Sequence, residues 1–288
     1  MMGRNAGILA LAFACLLGAR ALAQAPDTAG VTGFEKLTIP LLAEGKPDAA
    51  DSAVTGYLFR PTGAGPFPTV ILLHGCDGLE WDRPKRAGWR LLTGYAERYL
   101  AHGYAALVLD SFQPRGIDSV CGDPMTVSAR RRAWDAYSAA ADLVAQVVAD
   151  RDRIVLQGES HGGSTVLAAL ARDRGPAPVH FAAGVAFYPA CPKLKGFVAP
   201  LLILIGDDDD WTPAAPCQAL AARIDAEADG PRVALVTFPG ATHAFDYPYP
   251  PRTNSLGHHM VYDPAATAAS WQAIDAFLAK YVAPKDPE

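Results

Sequence analysis

Three short segments hold residue types that together could do covalent chemistry. The first is Gly158-Glu159-Ser160-His161-Gly162-Gly163, a G-x-S-x-G pattern with an apolar run before it and helical spacing after it. A sharp strand-to-helix turn strains the serine backbone and lifts its Oγ clear of a sheet. Glycines two residues to either side leave room for neighbouring chain to come close. A serine hydroxyl is a weak nucleophile until a base takes its proton, and the base needs an acid to orient it. The second segment, Pro239-Gly240-Ala241-Thr242-His243-Ala244-Phe245, follows the last apolar run and offers His243 as that base. The other histidines fit less well. His74 sits in a turn where packing or hydrogen bonding would hold it, and His161 would give its backbone amide. His102 and His180 fall before strands, at the opposite end of a sheet, and His258-His259 has no metal-ligand pattern around it. The third segment is Asp207, Asp208, Asp209 and Asp210 after Gly206. All four share one loop, so location leaves the choice open; like charges this dense raise one another's pKa values, and most must face water. Serine, acid and histidine run in that order along the chain, one of the orders such triads take.

The elements that must position these groups alternate. Apolar runs at 70–73, 105–109, 154–156, 182–187, 201–205 and 233–238 read as buried strands, and segments 87–102, 128–149, 164–172, 213–228 and 265–281 have helical spacing. Upstream, 35–40 and 54–60 read as antiparallel strands joined by a turn rich in Gly, Pro and Asp. Strands alternating with helices predict an α/β fold, a mainly parallel sheet of about eight strands flanked by helices in a single domain over 24–288. Functional groups in such sheets gather at the carboxyl ends of the strands, where all three segments fall.

Composition narrows the function classes. The chain has 288 residues, 50% hydrophobic and 19% charged, with a formal net charge of −5 and a mean hydropathy of +0.10. That balance offers no basic face for nucleic acid, and after residue 30 no apolar run is long enough to span a membrane. Residues 1–23 read as a signal peptide: Arg4, an apolar stretch at 6–19, then Ala21-Leu22-Ala23 as a small-x-small cleavage site. Export to a bacterial-type periplasm or beyond would leave Cys76, Cys121, Cys191 and Cys217, an even number in an oxidising compartment. Four cysteines allow three pairings. No metal or organic cofactor is called for, and oligomeric state has no sequence signal.

With those residues in place, the sequence resembles the dienelactone hydrolase family of α/β-hydrolases from about residue 54 to 281. The marks are PTVILLHGCDGL (68–79), DSFQPRG (110–116), GESHGG (158–163), PLLILIGDDDDWTP (200–213) and FPGATHAFD (238–246). The resemblance implies that the acid lies three residues after the strand-ending glycine and four before a proline, at Asp209, with Asp210 next. The namesake enzymes use cysteine in G-x-C-x-G, whereas this chain has Ser160, so the resemblance implies an ester hydrolase without implying dienelactone as substrate. It also implies an oxyanion hole made by the backbone amides of Cys76 and His161. In the strand order of that fold, the loops holding Cys76 and Cys121 are neighbours, as are those holding Cys191 and Cys217, so the expected bridges are Cys76–Cys121 and Cys191–Cys217. Tyr188, Trp81, Phe112 and Trp211 fall at the site end of the sheet and could line a substrate pocket, though packing would place them there equally well. Arg115 and the arginines at 130–132 could meet an anionic substrate, as arginines do in the namesake enzymes; pairing with acids or facing water is the simpler expectation.

The reading is an exported serine hydrolase of small carboxylic esters or lactones. Two rivals share its residues: a peptidase or polyester depolymerase on the same fold, and a non-catalytic binding protein that kept the fold.

Overall fold

The computed structural model describes residues 33–43, 52–79, 86–175, 177–226 and 232–282. The expected signal peptide at 1–23 and Trp81 lie outside them. Two strands, β1 (Glu35–Pro40) and β2 (Ala53–Phe59), open the fold as an antiparallel pair. β1 buries only alternate residues, as an edge strand covered on one face does. Then β3 (Phe67–Leu73), β4 (Ala105–Asp110), β5 (Ala149–Glu159), β6 (Ala183–Phe187), β7 (Leu201–Gly206) and β8 (Val233–Phe238) complete an eight-stranded sheet in the order β1-β2-β4-β3-β5-β6-β7-β8. Every pairing from β4 to β8 is parallel. β4, β6 and β7 are buried along their whole length, which is why they read as continuous apolar runs without alternation.

Helix α1 (Ala87–Ala101) links β3 to β4, while α2 (Ala129–Ala145), α3 (His161–Leu170) and α4 (Ala214–Ala226) follow β4, β5 and β7. The path steps one way across the sheet from β3 to β4 and the other way from β4 onward. Right-handed crossovers therefore put α1 on one face and α2, α3 and α4 on the other. The final helix α5 (Pro264–Tyr281) joins α1, with Tyr95 edge-on to Trp271 at 5.0 Å and Arg98 bonded to Asp275 at 2.7 Å. Side chains cap two of these helices: Ser128 accepts from Arg131 N at 3.2 Å, and Asp263 accepts from the amides of Ala265 and Ala266 at 2.9 Å.

The reversal falls between β3 and β5, whose ends Leu73 and Gly158 lie in register. Loops leaving the two strands diverge there and open a crevice, the usual ligand position in an open parallel sheet. Several expected boundaries move: β3 starts at Phe67 and α3 at His161, each three residues before the expected start, and the largest shift lies between α2 and β5. The helix expected over 128–149 stops at Ala145, Val147 turns with φ 57°, and β5 begins at Ala149 with a register shift between Phe67 and Thr69 of β3. Alternating Asp and Arg at 150–153 hid this start from an apolar-run reading, and an Arg153–Asp150 pair at 2.8 Å now spans it. Among the described residues, no helix is long and apolar enough to cross a membrane.

Candidate active site

Ser160 caps α3 with φ 51° and ψ −114°, a conformation side chains rarely adopt. The glycines around it are there for contact. A Cβ on Gly158 would strike the backbone of Gly162, and one on Gly162 would strike the carbonyls of Leu73 and His74 at the end of β3. The turn can be this tight only without those atoms. Two further non-glycine residues take positive φ at the same end of the sheet, Tyr188 at 35° after β6 and Ala244 at 56° beside His243. Strain of this kind gathers where surrounding structure over-determines the backbone.

Ser160 Oγ lies 3.0 Å from His243 Nε2, and His243 Nδ1 lies 2.8 Å from Asp209 Oδ2. The four aspartates now separate: Asp209 is 4% exposed and the other three are exposed. Asp209 Oδ1 accepts from the amides of Trp211 (2.9 Å) and Thr212 (2.7 Å), while Oδ2 also faces the Thr212 hydroxyl at 3.0 Å. These bonds fix the carboxylate's orientation toward His243. Asp207 accepts from Gly240 N, and Asp210 pairs with His258 at 3.3 Å. Thr212, whose hydroxyl also sits 3.0 Å from His243 Nδ1, was not marked by any sequence signal.

Beneath His243, Asp246 is buried and accepts from the hydroxyls of Tyr95 and of Tyr188, the latter at 2.6 Å. Burial holds the Asp246 carboxyl above the ordinary range, and it pushes both phenols up, with the Asp246 charge adding to the effect. Tyr188 packs against the His243 ring at 4.6 Å, so it lines the cleft as an anchored wall. Trp211 stands against His243 at 4.8 Å and stacks on His258, also at 4.8 Å.

The other expected contacts are taken up elsewhere. Arg115 makes a two-pronged pair with Asp135, 2.8 Å at each prong, the pairing with an acid that was the simpler expectation. Phe112 is buried against His74 at 4.5 Å and lies under the Arg132 guanidinium at 4.9 Å. Both expected disulfides are present, Cys76–Cys121 tying the loop after β3 and Cys191–Cys217 tying the loop after β6 to α4.

Sequence reasoning offered Arg132 only as one of three arginines that could meet an anionic substrate, and missed its place in the interior. It stands among three arginines at a helix start, the usual look of a solvated end, yet it is fully buried. Its Nη2 donates to the His74 carbonyl at 2.7 Å and its Nη1 to His161 Nδ1 at 2.8 Å. A guanidinium can only donate, so His161 accepts at Nδ1 and carries its proton on Nε2, which faces Pro124 O at 3.3 Å. His74 takes the other tautomer: Nδ1–H donates to Gly75 O at 2.8 Å and Nε2 accepts from Ser111 N. Burial, then the Arg132 charge, lowers the pKa of His161 to about 3, and the same two causes hold His74 well below its ordinary value. Both rings stay neutral, and one cation fastens the loop after β3 to the residue after Ser160.

A parallel sheet with a reversal at β3/β5, a strained serine on the strand-to-helix turn and a histidine past the last parallel strand define an α/β-hydrolase fold. The family model for the dienelactone hydrolase family matches residues 54–282, and the chain belongs to that family. Among curated proteins it is 31% identical over 157 residues to the quorum-quenching protein AidA of Acinetobacter baumannii, a match covering 52% of this chain and 43% of that protein. The chain thus spans less than half the length of that relative. It is also 30% identical over 209 residues to the uncharacterised Mycobacterium tuberculosis protein Rv2307c, covering 65% of this chain and 67% of that one. Among solved structures, a Klebsiella pneumoniae protein described as a candidate dienelactone hydrolase aligns with a TM-score of 0.64 at 19% identity, covering 86% of this chain and all of that chain. Thermogutta terrifontis esterase 2 with propionate bound aligns at 0.60 and 17% identity, covering 88% and 97%. At these identities the structures share the fold.

Proposed function

We propose that the protein hydrolyses carboxylic esters or lactones through an acyl-enzyme, with Ser160 as nucleophile, His243 as base and Asp209 as the acid that orients it. The observation that carries this reading is the hydrogen-bonded chain from Ser160 Oγ through His243 to Asp209, at 3.0 and 2.8 Å. Ser160 Oγ attacks the carbonyl carbon and its proton passes to His243 Nε2. The oxyanion is held by the amides of Cys76, in the loop after β3, and of His161, at the first helical position of α3, where an amide has no partner within its own helix. The ester C–O bond breaks, and the departing alkoxide takes the proton from His243. Water then attacks the acyl-serine, again giving a proton to His243, and the carboxylic acid leaves as the proton returns to Ser160. Asp209 stabilises the imidazolium formed in each half-reaction.

Export is part of the same proposal: the two disulfides fit an oxidising compartment, and N-terminal sequencing of the protein from a secreting host should begin after Ala23.

Hydrolysis of p-nitrophenyl acetate and of a small lactone by wild type and by Ser160→Ala tests the chemistry. Loss of about four to six orders of magnitude in kcat is expected for the variant. Equal rates in both proteins would refute the serine mechanism, and a folded wild type inert on every ester and lactone would favour the binding-protein reading.

A further inference from the structure

Ser160 lines the smaller of two concavities that share Trp211, and the next residue, His161, lines the larger. One is a small cleft of about 40 Å³ that holds Ser160 and His243 under the hairpin of β9 (Arg252–Thr253) and β10 (His259–Met260). The other is an open, mainly apolar trough of about 720 Å³. Its floor is one face of α3 and the residue after it: His161, Ser164, Ala168 and Ala171 all line it, at spacings of three and four. Ten residues at about 1.5 Å each give a trough about 15 Å long that starts at the residue after Ser160. The Cys191 end of a disulfide and the first turn of α4 form one wall. Met125, 73% exposed, also lines the trough. Trp211 belongs to both concavities, clamped between the rings of His243 and His258.

We propose that this trough is the acyl-chain subsite, and that the protein takes esters with a long, unbranched, apolar acyl group and a compact alcohol part. The inference rests on the hydrolase reading above. Its direction follows from proton transfer. The leaving oxygen must reach His243 Nε2, and His243 lines the small cleft and is absent from the trough lining. The alcohol therefore departs on the cleft side, and the acyl group occupies the larger space. An extended chain advances about 1.2 Å per bond, since a three-bond peptide residue spans 3.3–3.6 Å, so about 15 Å takes roughly twelve bonds. The small side chains of Ser164, Ala168 and Ala171 leave the floor level along that length. A thioether in the lining adapts to a flexible chain more readily than a branched side chain would.

The test sets two ester series side by side in a pH-stat: methyl esters of four-, eight- and twelve-carbon acids, and acetates of butanol, octanol and dodecanol, all below micelle-forming concentrations. Each buried methylene favours binding about threefold to fourfold, and an open trough recovers part of that. kcat/KM should rise at least about 100-fold from methyl butanoate to methyl dodecanoate, and change under about fivefold across the acetates. Ala168→Trp, which fills the middle of the floor, should bring the dodecanoate-to-butanoate ratio below about ten. Met125→Glu changes only an exposed side chain and should lower the same ratio, so a failure of Ala168→Trp to fold leaves the test intact. A flat acyl series with active wild type, or a preference that appears in the alcohol series instead, overturns the subsite. Wild type inert on both series, and on p-nitrophenyl acetate and the lactone as well, refutes the hydrolase reading and passes judgement of the trough to dodecanoate binding by Ser160→Ala, measured calorimetrically. One-to-one binding weakened at least tenfold by Met125→Glu supports the trough, and no binding overturns it.

Discussion

Replacing Arg132 with methionine should separate folding from catalysis. The change deletes two charge-assisted hydrogen bonds, at 2.7 Å to the His74 carbonyl and 2.8 Å to His161 Nδ1. Leaving both acceptors bare in the interior costs about 1–3 kcal/mol each. Against that, burial lowers the guanidinium pKa from 12.5 to about 10, so the folded state already bears a penalty of about 3 kcal/mol for keeping this charge. Methionine removes that penalty and fills much of the volume over the Phe112 ring. The net loss is within about 3 kcal/mol, which a chain with two disulfides withstands. Catalysis has no such compensation. Arg132 joins the loop holding Cys76 to His161, whose amides are the donors of the proposed oxyanion hole, and a displacement of about 1 Å between such donors costs about 100-fold. The expected result is kcat for p-nitrophenyl acetate down about 100-fold with KM within threefold, in a protein that still melts cooperatively. Arg132→Lys should recover part of the rate, since an ammonium satisfies one acceptor where the guanidinium fork spans two. Without the neighbouring cation, His161 should also protonate at higher pH, adding an acidic limb to the kcat profile of the methionine variant. A fully folded Arg132→Met with kcat within threefold of wild type would refute the reasoning, as would a rate loss that merely tracks the unfolded fraction.

Three other outcomes follow from the same structure. His161 is neutral when folded, with its pKa lowered to about 3, and ordinary near 6.5 when unfolded; its contribution is complete above pH 6.5 and is lost as pH falls toward 3, at about 1.4 kcal/mol per pH unit. Urea midpoints between pH 4 and 7 should therefore fall less steeply for His161→Gln than for wild type, and parallel slopes would refute the assignment. Asp209→Asn should lower kcat by about 10³- to 10⁴-fold while Asp210→Asn stays within threefold, because only Asp209 reaches His243; similar losses in both would show the acid to be wrongly placed. Replacing both Cys191 and Cys217 with serine opens a loop of 26 residues and should cost about 3.5 kcal/mol in denaturant unfolding. The pair Cys76 and Cys121, separated by 45, should cost about 4 kcal/mol and should lower kcat as well, since it frees the loop carrying the Cys76 amide.

The sequence by itself determined the strand and helix alternation, the strained turn proposed to carry the nucleophile and the histidine proposed as its base, because each is encoded locally. Strands buried on both faces read as apolar runs, and a turn that must exclude two Cβ atoms shows as Gly158 and Gly162 around Ser160. The choice of Asp209 among four aspartates came from resemblance, and tertiary structure gives its physical cause: two amides and His243 converge on one carboxylate while its neighbours face water or other partners. The identity of Asp135 as the acid that Arg115 pairs with, the burial of Arg132 between two histidines and the Tyr95–Tyr188–Asp246 cluster beneath His243 were beyond sequence reading. Each joins groups from separate elements, and a charged residue looks the same in sequence whether water or a buried partner receives it. The trough is the extreme case. Its floor is one helix face, and its sides come from segments near residues 125, 191 and 213; only the folded sheet brings them together, so no local pattern could record their shape.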